Sequence, residues 1–272
     1  MKRIETINFN YEDLNKDFIF SGYYDDIILQ YMKNKHYLYD AENILSIYEW
    51  LNKNEVAIDV GAHIGTQSIP FSFYSKYVLS FEPQHGIYDL LLQNIKQNKA
   101  NNVIAFNCGV GHKNILTIMN KFSDVKSKHA FNYGTFGIGH GKEIIQLVKL
   151  DDFYSSKHNI QLIKIDVEGM EKFVIYGAKK LIKKYHPLLI VEDITKEPTD
   201  DIYELLNIEK NNKVRKFNII NFLQKNNYKY ISVLKDNKFY KNYLITTYYK
   251  YNSHLTKTHD KLLNFDKLTF NY

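Results

Sequence analysis

Cysteine, proline and arginine are scarce in this chain. Its 272 residues include one cysteine, Cys108, and four prolines. A single cysteine forms no intramolecular disulfide and supplies no pair of thiolates for a structural zinc site, so the sequence excludes both. Arginine occurs only as Arg3 and Arg215. Because bidentate recognition of phosphates and bases favours arginine, this scarcity counts against a dedicated nucleic-acid surface.

Long hydrophobic runs are also missing. No segment approaches the roughly 18 apolar residues of a membrane span. The N-terminus interleaves charges with apolar residues where a signal peptide needs an apolar run of roughly 7–15 residues. We therefore expect a cytoplasmic protein without a membrane span. The chain is 44% hydrophobic and 24% charged, which is typical of globular proteins and excludes disorder for most of it.

Positive charge is concentrated near the C-terminus. The formal net charge is +6, but residues 207–272 carry 13 basic against 4 acidic side chains, whereas residues 1–206 carry 23 against 26. A basic region can attract phosphates, so a nucleic-acid partner remains an alternative. Nearly all of these basic residues are lysines, and we therefore treat nucleic acid as the less favoured partner.

Strand and helix patterns alternate from about residue 56, which predicts a mostly parallel sheet covered by helices. Five strands are expected, at 56–60, 77–83, 103–110, 161–167 and 187–193. Two further β-rich runs, 228–236 and 238–248, predict an antiparallel hairpin at the sheet edge. Helices are expected at 85–99 and 171–185.

We divide the chain into a helical lead-in over 1–45, a main domain over 46–250 and a loosely held tail over 251–272. The main domain contains an irregular, glycine-rich insert at about 111–149, which includes His140. Long irregular loops inside compact domains are usually functional, so we expect this insert to face the substrate.

The first predicted strand runs into a glycine turn, AIDVGAHIG (57–65). Gly61 and Gly65 do not fit the G-x-G-x-x-G spacing of a dinucleotide site. Asp59 would repel a pyrophosphate but could pair with an ammonium group, and S-adenosylmethionine has an ammonium group and no phosphate. Glu82, at the end of the next strand, could accept hydrogen bonds from both ribose hydroxyls. The alternative is an ordinary strand–turn–helix connection with two solvated acids.

Acidic residues cluster after the fourth strand, in the segment IDVEGME (165–171). Strand alternation would send Asp166 and Glu168 to the same side, and two neighbouring carboxylates raise at least one pKa, which suits a general base. We hypothesise that Asp166 positions cofactor and acceptor, that Glu168 takes the proton, and that Glu192 on the neighbouring strand supports them. The alternative is that Glu168 and Glu171 stabilise the start of the next helix.

A metal-dependent variant of the site is possible in principle. Asp166, Glu192 and Asp193 would supply the oxygen ligands that hard cations prefer. Because acids at strand ends are more often hydrogen-bonded than metal-bound, the sequence favours a site without metal.

The sequence resembles the FkbM-type family of class I S-adenosylmethionine-dependent methyltransferases. The matching segments are AIDVGAHIG (57–65), FEP (81–83), LDDF (150–153), IKIDVEGME (163–171), YGA (176–178) and PLLIVE (187–192). The resemblance covers roughly 56–193. It implies a Rossmann-like, three-layer α/β sandwich with a mostly parallel seven-stranded sheet, and methyl transfer to a hydroxyl of a small molecule or glycan.

The resemblance also implies roles for individual residues. The methionine end of the cofactor would be lined by Asp59, Gly61, Ala62, His63 and Gly65. Glu82 would bind the ribose, and Asn107 would lie near the adenine unless it only forms a turn. Two alternatives stay open: a nucleic-acid methyltransferase that uses the basic C-terminal region, and a non-catalytic binding protein with the same fold.

Overall fold

The computed structural model describes residues 2–119, 132–135, 137–139, 141–195, 197–236, 241–246 and 262–264. The strands are β1 (Ile4–Tyr11), β2 (Lys16–Tyr23), β3 (Val56–Val60), β4 (Tyr77–Phe81), β5 (Val103–Phe106), β6 (Gly109–Val110), β7 (Ile115–Met119), β8 (Glu143–Val148), β9 (Ile160–Ile165), β10 (Leu188–Val191), β11 (Tyr230–Asp236), β12 (Lys241–Thr246) and β13 (Leu262–Asn264). The α-helices are α1 (Ile27–Lys35), α2 (Ala41–Leu45), α3 (Ser68–Ser72), α4 (His85–Gln97), α5 (Leu150–Phe153), α6 (Glu171–Gly177), α7 (Lys179–Tyr185), α8 (Asp200–Leu205) and α9 (Ile219–Lys225).

One large sheet organises these elements, in the order β13-β11-β12-β10-β9-β3-β4-β5. The strands from β10 to β5 pair in parallel, and β12, β11 and β13 pair antiparallel at the other edge. Every residue of β3 and β9 is buried, as expected where helices cover both faces of a parallel sheet. The predicted α/β fold with a mostly parallel sheet and an antiparallel edge hairpin is confirmed. The short β13 adds an eighth strand to the seven predicted.

The predicted helical lead-in is wrong for residues 4–23, which form an antiparallel hairpin of β1 and β2. Ile7, Phe9 and Tyr11 are buried and alternate with two exposed asparagines, so the period of two outweighs any helical tendency. The hairpin packs on α4, where the Asn94 side chain hydrogen-bonds the backbone N–H and C=O of Ser21. Only α1 and α2, which follow the hairpin, match the prediction.

The predicted third strand and the insert also differ from expectation. The run 103–110 divides at Asn107, because β5 joins the main sheet while β6 joins a second, three-stranded sheet in the order β6-β8-β7. The insert is therefore partly regular, with β7 and β8 paired antiparallel. His140, and all of the predicted tail except β13, lie outside the described residues.

The predicted helix over 171–185 is interrupted at Ala178, which separates α6 from α7. A side chain at Gly177 would place its Cβ 2.1 Å from the carbonyl oxygen of Gly111. The segment after β6 thus passes directly against this point of the helix, and only glycine leaves room for it. Among the described residues, no helix is both long and apolar enough to cross a membrane.

Candidate active site

A cavity of about 610 Å³ opens at the carboxyl ends of the parallel strands. Its wall contains the turn Gly61–His63 after β3, Glu82 after β4, Asp166 and Glu168 after β9, and Glu192 after β10. Open α/β sheets bind ligands at this edge. The structure therefore brings part of the predicted cofactor group together with the three predicted catalytic acids.

The glycine turn after β3 packs tightly against the end of β9. Gly61 has a positive φ of 81°, and a Cβ on it would lie 1.8 Å from the carbonyl oxygen of Asp166. The position therefore requires glycine both for its conformation and for its space. Gly65, with φ 93°, faces Leu91 instead. Gly61, Ala62 and His63 line the cavity, whereas Gly65 supports the turn from behind.

Glu82 is held by backbone N–H groups on both sides. Its Oε2 accepts from the His63 N–H at 2.9 Å, and its Oε1 accepts from the Gln84 N–H at 2.8 Å. Burial raises the pKa of Glu82 to about 7. Each carboxylate oxygen can accept a further hydrogen bond, and the side chain lines the cavity. Glu82 is thus fixed in place with acceptor capacity left for a pair of hydroxyls.

Asp59 lies behind the cavity wall rather than on it. It is fully buried and accepts from the Ser68 hydroxyl, and burial raises its pKa. The Nζ of Lys164 lies 3.4 Å from Asp59 Oδ1 and 3.2 Å from Asp166 Oδ2, and it donates to the Gly61 carbonyl at 2.8 Å. Asp59 therefore contributes to the cavity only indirectly, by pairing with Lys164, which lines it.

Lys164 is a site residue that the sequence analysis missed. Burial alone would lower its pKa, but the charges of Asp166 and Asp59 raise it, so the ammonium stays charged. A signal was present in the sequence, because Lys164 is the one charged residue of β9, two positions before Asp166. A lysine in a fully buried strand needs a buried carboxylate partner.

Asn107 does not line the cavity. Its Nδ2 donates to the backbone carbonyls of Glu82, at 3.0 Å, and of Pro83, at 3.1 Å. The side chain therefore holds the end of β4 against the end of β5. This position matches the turn-forming alternative, and an adenine contact remains a prediction.

The three predicted catalytic acids converge. Asp166, Glu168 and Glu192 each place one carboxylate oxygen within 4.8 Å of the others. Strand alternation does not bring Glu168 to this cluster, because β9 already ends at Ile165. The Glu168 backbone instead adopts the left-handed conformation, with φ 52°. Burial, together with the charges of Asp166 and Glu168, raises the pKa of Glu192 well above its usual range.

Two more acids stand beside this cluster. Glu171, the first residue of α6, accepts at Oε1 from the N–H groups of Val167 and Gly169, at 3.2 and 3.3 Å, and burial raises its pKa to about 7. Its Oε2 accepts no hydrogen bond from the described residues. Asp193 also lines the cavity, and its Oδ1 accepts from the N–H and hydroxyl of Thr195.

The N-terminal segment supplies part of the wall that no motif predicted. The Nε2 of His63 lies 3.7 Å from Oδ2 of Asp26, whose Oδ1 caps α1 by accepting from the Ile28 N–H. Burial lowers the pKa of His63 to about 4 and raises that of Asp26 to about 7. Gln67, after the glycine turn, donates to the carbonyls of Tyr39 and Asp40. The lead-in is therefore structurally part of the site.

The insert closes the opposite side. Its cavity-lining residues are Met119, Asn132, Gly134, Thr135, Gly137, Ile138, Ile145 and Leu147. The Tyr133 carbonyl accepts from Gln84 Nε2 at 3.0 Å, and Glu143 accepts from the backbone N–H of His85 at 2.9 Å. The insert is thus tied to the turn that carries Glu82.

Known proteins resemble this chain in sequence and in fold. The family model described as the methyltransferase FkbM domain matches residues 59–230. A curated tRNA(Phe) (4-demethylwyosine(37)-C(7)) aminocarboxypropyltransferase of Methanocaldococcus jannaschii is 33% identical over an alignment of 142 positions that covers 45% of this chain. The chain spans 56% of that relative's length.

Solved structures match this chain at low sequence identity, with TM-scores below 0.5. A methyltransferase FkbM from Methylobacillus flagellatus KT matches with a TM-score of 0.46 and 18% identity, over 72% of this chain and 44% of that one. The M. jannaschii TYW2, solved in complex with AdoMet, matches with a TM-score of 0.36 and 16% identity, over 84% of this chain and 80% of that one. The family model covers well over half of the chain, including the glycine turn, Glu82 and the acid cluster, so the chain belongs to the FkbM methyltransferase family.

Proposed function

We propose that this protein is a cytoplasmic S-adenosylmethionine-dependent O-methyltransferase that acts on a hydroxyl of a small molecule or glycan. One observation carries the proposal. Along the order of the sheet, a single cavity is lined by the glycine turn and Glu82 at one end, after β3 and β4, and by Asp166, Glu168 and Glu192 at the other end, after β9 and β10. Methyl donor and acceptor would therefore meet within one enclosure at the end of the sheet.

The glycine turn and Glu82 are the cofactor end of this cavity. Glu82 can accept hydrogen bonds from the two ribose hydroxyls, since its carboxylate is held by two backbone N–H groups and keeps further lone pairs. The Gly61 turn places Gly61, Ala62 and His63 at the cavity wall, where the methionine part can approach them. The acidic wall favours the positive sulfonium and ammonium groups of this methyl donor.

The acid cluster is the acceptor end. Methyl transfer from a sulfonium is an in-line displacement, so the enzyme must chiefly align the acceptor oxygen with the methyl carbon. The oxygen–methyl bond forms, the sulfonium–methyl bond breaks, and the hydroxyl proton passes to a carboxylate. We assign proton acceptance to Glu168, positioning to Asp166 and support to Glu192.

The reaction is tested by incubating the full chain with S-adenosylmethionine and a panel of sugars and hydroxylated small molecules. We expect one product to gain the mass of a methyl group, with its O-linkage established by NMR. Glu168→Gln should then lower turnover by roughly 100-fold or more, the usual contribution of a general base, while Glu209→Gln, an exposed acid outside the cavity, should not. Unchanged turnover in Glu168→Gln, with full cofactor binding, would remove the base assignment. Cofactor binding without any methylated product would favour the non-catalytic alternative.

A second candidate is a nucleic-acid enzyme, because the curated relative from M. jannaschii acts on tRNA by its name. The cavity itself argues against this choice, since its wall is rich in carboxylates that repel phosphates. Salt-sensitive binding of tRNA to the full chain, together with methyl transfer to it, would favour this candidate over the small-molecule acceptor.

A further inference from the structure

The acid cluster has the dimensions of a cation site. One oxygen from each of Asp166, Glu168 and Glu192 lies within 4.8 Å of the other two. Two oxygens bound to one Ca²⁺ at roughly 2.4 Å lie at most about 4.8 Å apart, so these three oxygens are close enough to share the ion. Slightly shorter separations would suit Mg²⁺, whose bonds to oxygen are about 2.1 Å. Ile165 and Val191 pair across β9 and β10. Asp166 and Glu192, which directly follow them, therefore start from neighbouring positions on two strands.

A buried carboxylate oxygen beside the cluster gives an independent reason to expect a cation. Glu171 is 1% exposed and lines the same cavity, and its Oε2 has no hydrogen-bond partner among the described residues. A buried carboxylate oxygen without a donor is costly. A cation or its bound water in the cavity would satisfy it.

The side chains around the cavity do not balance these charges. Lys164 is the only lysine or arginine among the described residues of the cavity wall. Its ammonium is shared by Asp59 and Asp166 and also donates to the Gly61 carbonyl. With this one lysine engaged, the described wall offers no other lysine or arginine to Glu171 and Glu192, so a divalent cation would be attracted there.

We propose that Asp166, Glu168 and Glu192 bind one hard divalent cation, Mg²⁺, Mn²⁺ or Ca²⁺, through one oxygen each. The sequence favoured a site without metal and, for the metal alternative, placed Asp193 among the ligands. The structure groups Glu168, rather than Asp193, with Asp166 and Glu192, while Asp193 Oδ1 accepts from the N–H and hydroxyl of Thr195. The remaining coordination positions face the cavity, where water or acceptor oxygens can occupy them.

The role of the cation, unlike its binding, rests on the proposed methyl transfer. Beside the cation an acceptor hydroxyl is more acidic and is held in a fixed place. Each ligand carboxylate keeps a second oxygen, so Glu168 can bind the cation and still accept the proton. An acceptor with two neighbouring oxygens could chelate the cation, which selects diols and sugars among hydroxyl compounds.

Calorimetric titration of chelator-treated full-length protein with Mn²⁺, supported by the electron paramagnetic resonance of bound Mn²⁺, tests the site without any acceptor. We expect one equivalent to bind. Loss of a mere outer-shell partner costs about 10–100-fold in metal affinity, so Glu192→Gln and Glu168→Gln should each weaken binding by at least about tenfold. Glu209→Gln should bind Mn²⁺ as the unmodified chain does.

Two results would overturn the cation site. One is a dissociation constant weaker than about 1 mM, the weak end of protein Ca²⁺ sites, in the unmodified protein. The other is equal binding in Glu192→Gln and Glu168→Gln, with circular dichroism showing both variants folded. Titrating S-adenosylmethionine into the same metal-free protein separates the two proposals. Cofactor binding without Mn²⁺ binding removes only the cation, whereas absence of cofactor binding removes the proposed function.

Discussion

The two ends of the cavity are built in opposite ways. At the cofactor end, both oxygens of Glu82 accept backbone N–H groups, and the Gly61 turn is fixed by its close approach to β9. At the acceptor end, Glu168 and Glu192 are only half-buried and stand among like charges that raise the pKa of Glu192. The Glu82 carboxylate is held in place by the protein's own backbone, whereas the Glu192 carboxylate lies among other acids.

Two features join these ends. The Gly61 turn touches the backbone of Asp166, and Lys164 bridges Asp59 to Asp166 while holding the Gly61 carbonyl. Substitutions of Gly61 or Lys164 should therefore disturb both ends of the cavity, whereas a substitution at one end should disturb only that end.

The largest effect is expected for Gly61→Ala. The new Cβ would lie 1.8 Å from the Asp166 carbonyl oxygen, in a conformation with φ 81°, so β3 and β9 cannot keep their positions. We expect a loss of more than about 4 kcal/mol in the free energy of unfolding, measured by urea denaturation.

Gly169→Ala is the matched control for Gly61→Ala. Gly169 also has a positive φ, 91°, but a Cβ there would meet no atom within 4 Å. Only the left-handed conformation is penalised, at about 1 kcal/mol. Equal losses for the two variants would show that the close approach of β3 to β9 does not matter.

Lys164→Met should come next. Removing the ammonium leaves the buried Asp59 and its neighbour Asp166 without a counter-charge, and breaking a buried ion pair in this way costs about 3 kcal/mol. Thermal and urea unfolding measure the loss. Adding Asp59→Asn to Lys164→Met should restore part of the stability, since no buried charge then remains at residue 59. No recovery would contradict the ion-pair role of Asp59.

The smallest effect is a pH dependence of stability at Glu82. Burial raises its pKa in the folded state to about 7 from its ordinary value of 4.5, so the folded state binds this proton more tightly than the unfolded state. The contribution is present at low pH and is lost as the pH rises through about 7. Between pH 8 and pH 6 it should stabilise the cofactor-free protein by about 1 kcal/mol.

The pH effect is isolated by comparing the unmodified chain with Glu82→Gln in urea unfolding at both pH values. The buried histidines His63 and His112, whose pKa values burial lowers, titrate in both proteins and cancel in the difference. Identical pH dependence in the two proteins would show that Glu82 is ionised in the folded state at pH 6.

Sequence patterns predicted the centre of the fold better than its borders. Asp166 and Glu192 were placed correctly at one edge, because parallel strands deliver the residues that follow them to the same place. Glu82 was placed by the same argument. These predictions needed only the positions of the parallel strands along the chain, which hydrophobic runs reveal.

Side-chain partners from distant segments were harder to predict. Nothing local shows that Asn107 would hold the carbonyls of Glu82 and Pro83, or that Asp59 would be used by Lys164. Asp26, which approaches His63 from the N-terminal segment, carries no motif at all. The hairpin over 4–23 is different, because the alternation of Ile7, Phe9 and Tyr11 with two asparagines is visible in the sequence and favours a strand over the predicted helix.

The proposed methyl transfer requires cofactor binding at the end of the cavity that Glu82 occupies. Calorimetric titration of S-adenosylmethionine into the full chain tests this directly, with Glu82→Ala and the exposed Glu209→Gln as a pair. We expect one equivalent to bind the unmodified chain and Glu209→Gln equally. Glu82→Ala, which loses two charged hydrogen bonds to the ribose, should bind at least about tenfold more weakly. Absence of binding to the unmodified chain, or equal binding by a folded Glu82→Ala, would contradict the account.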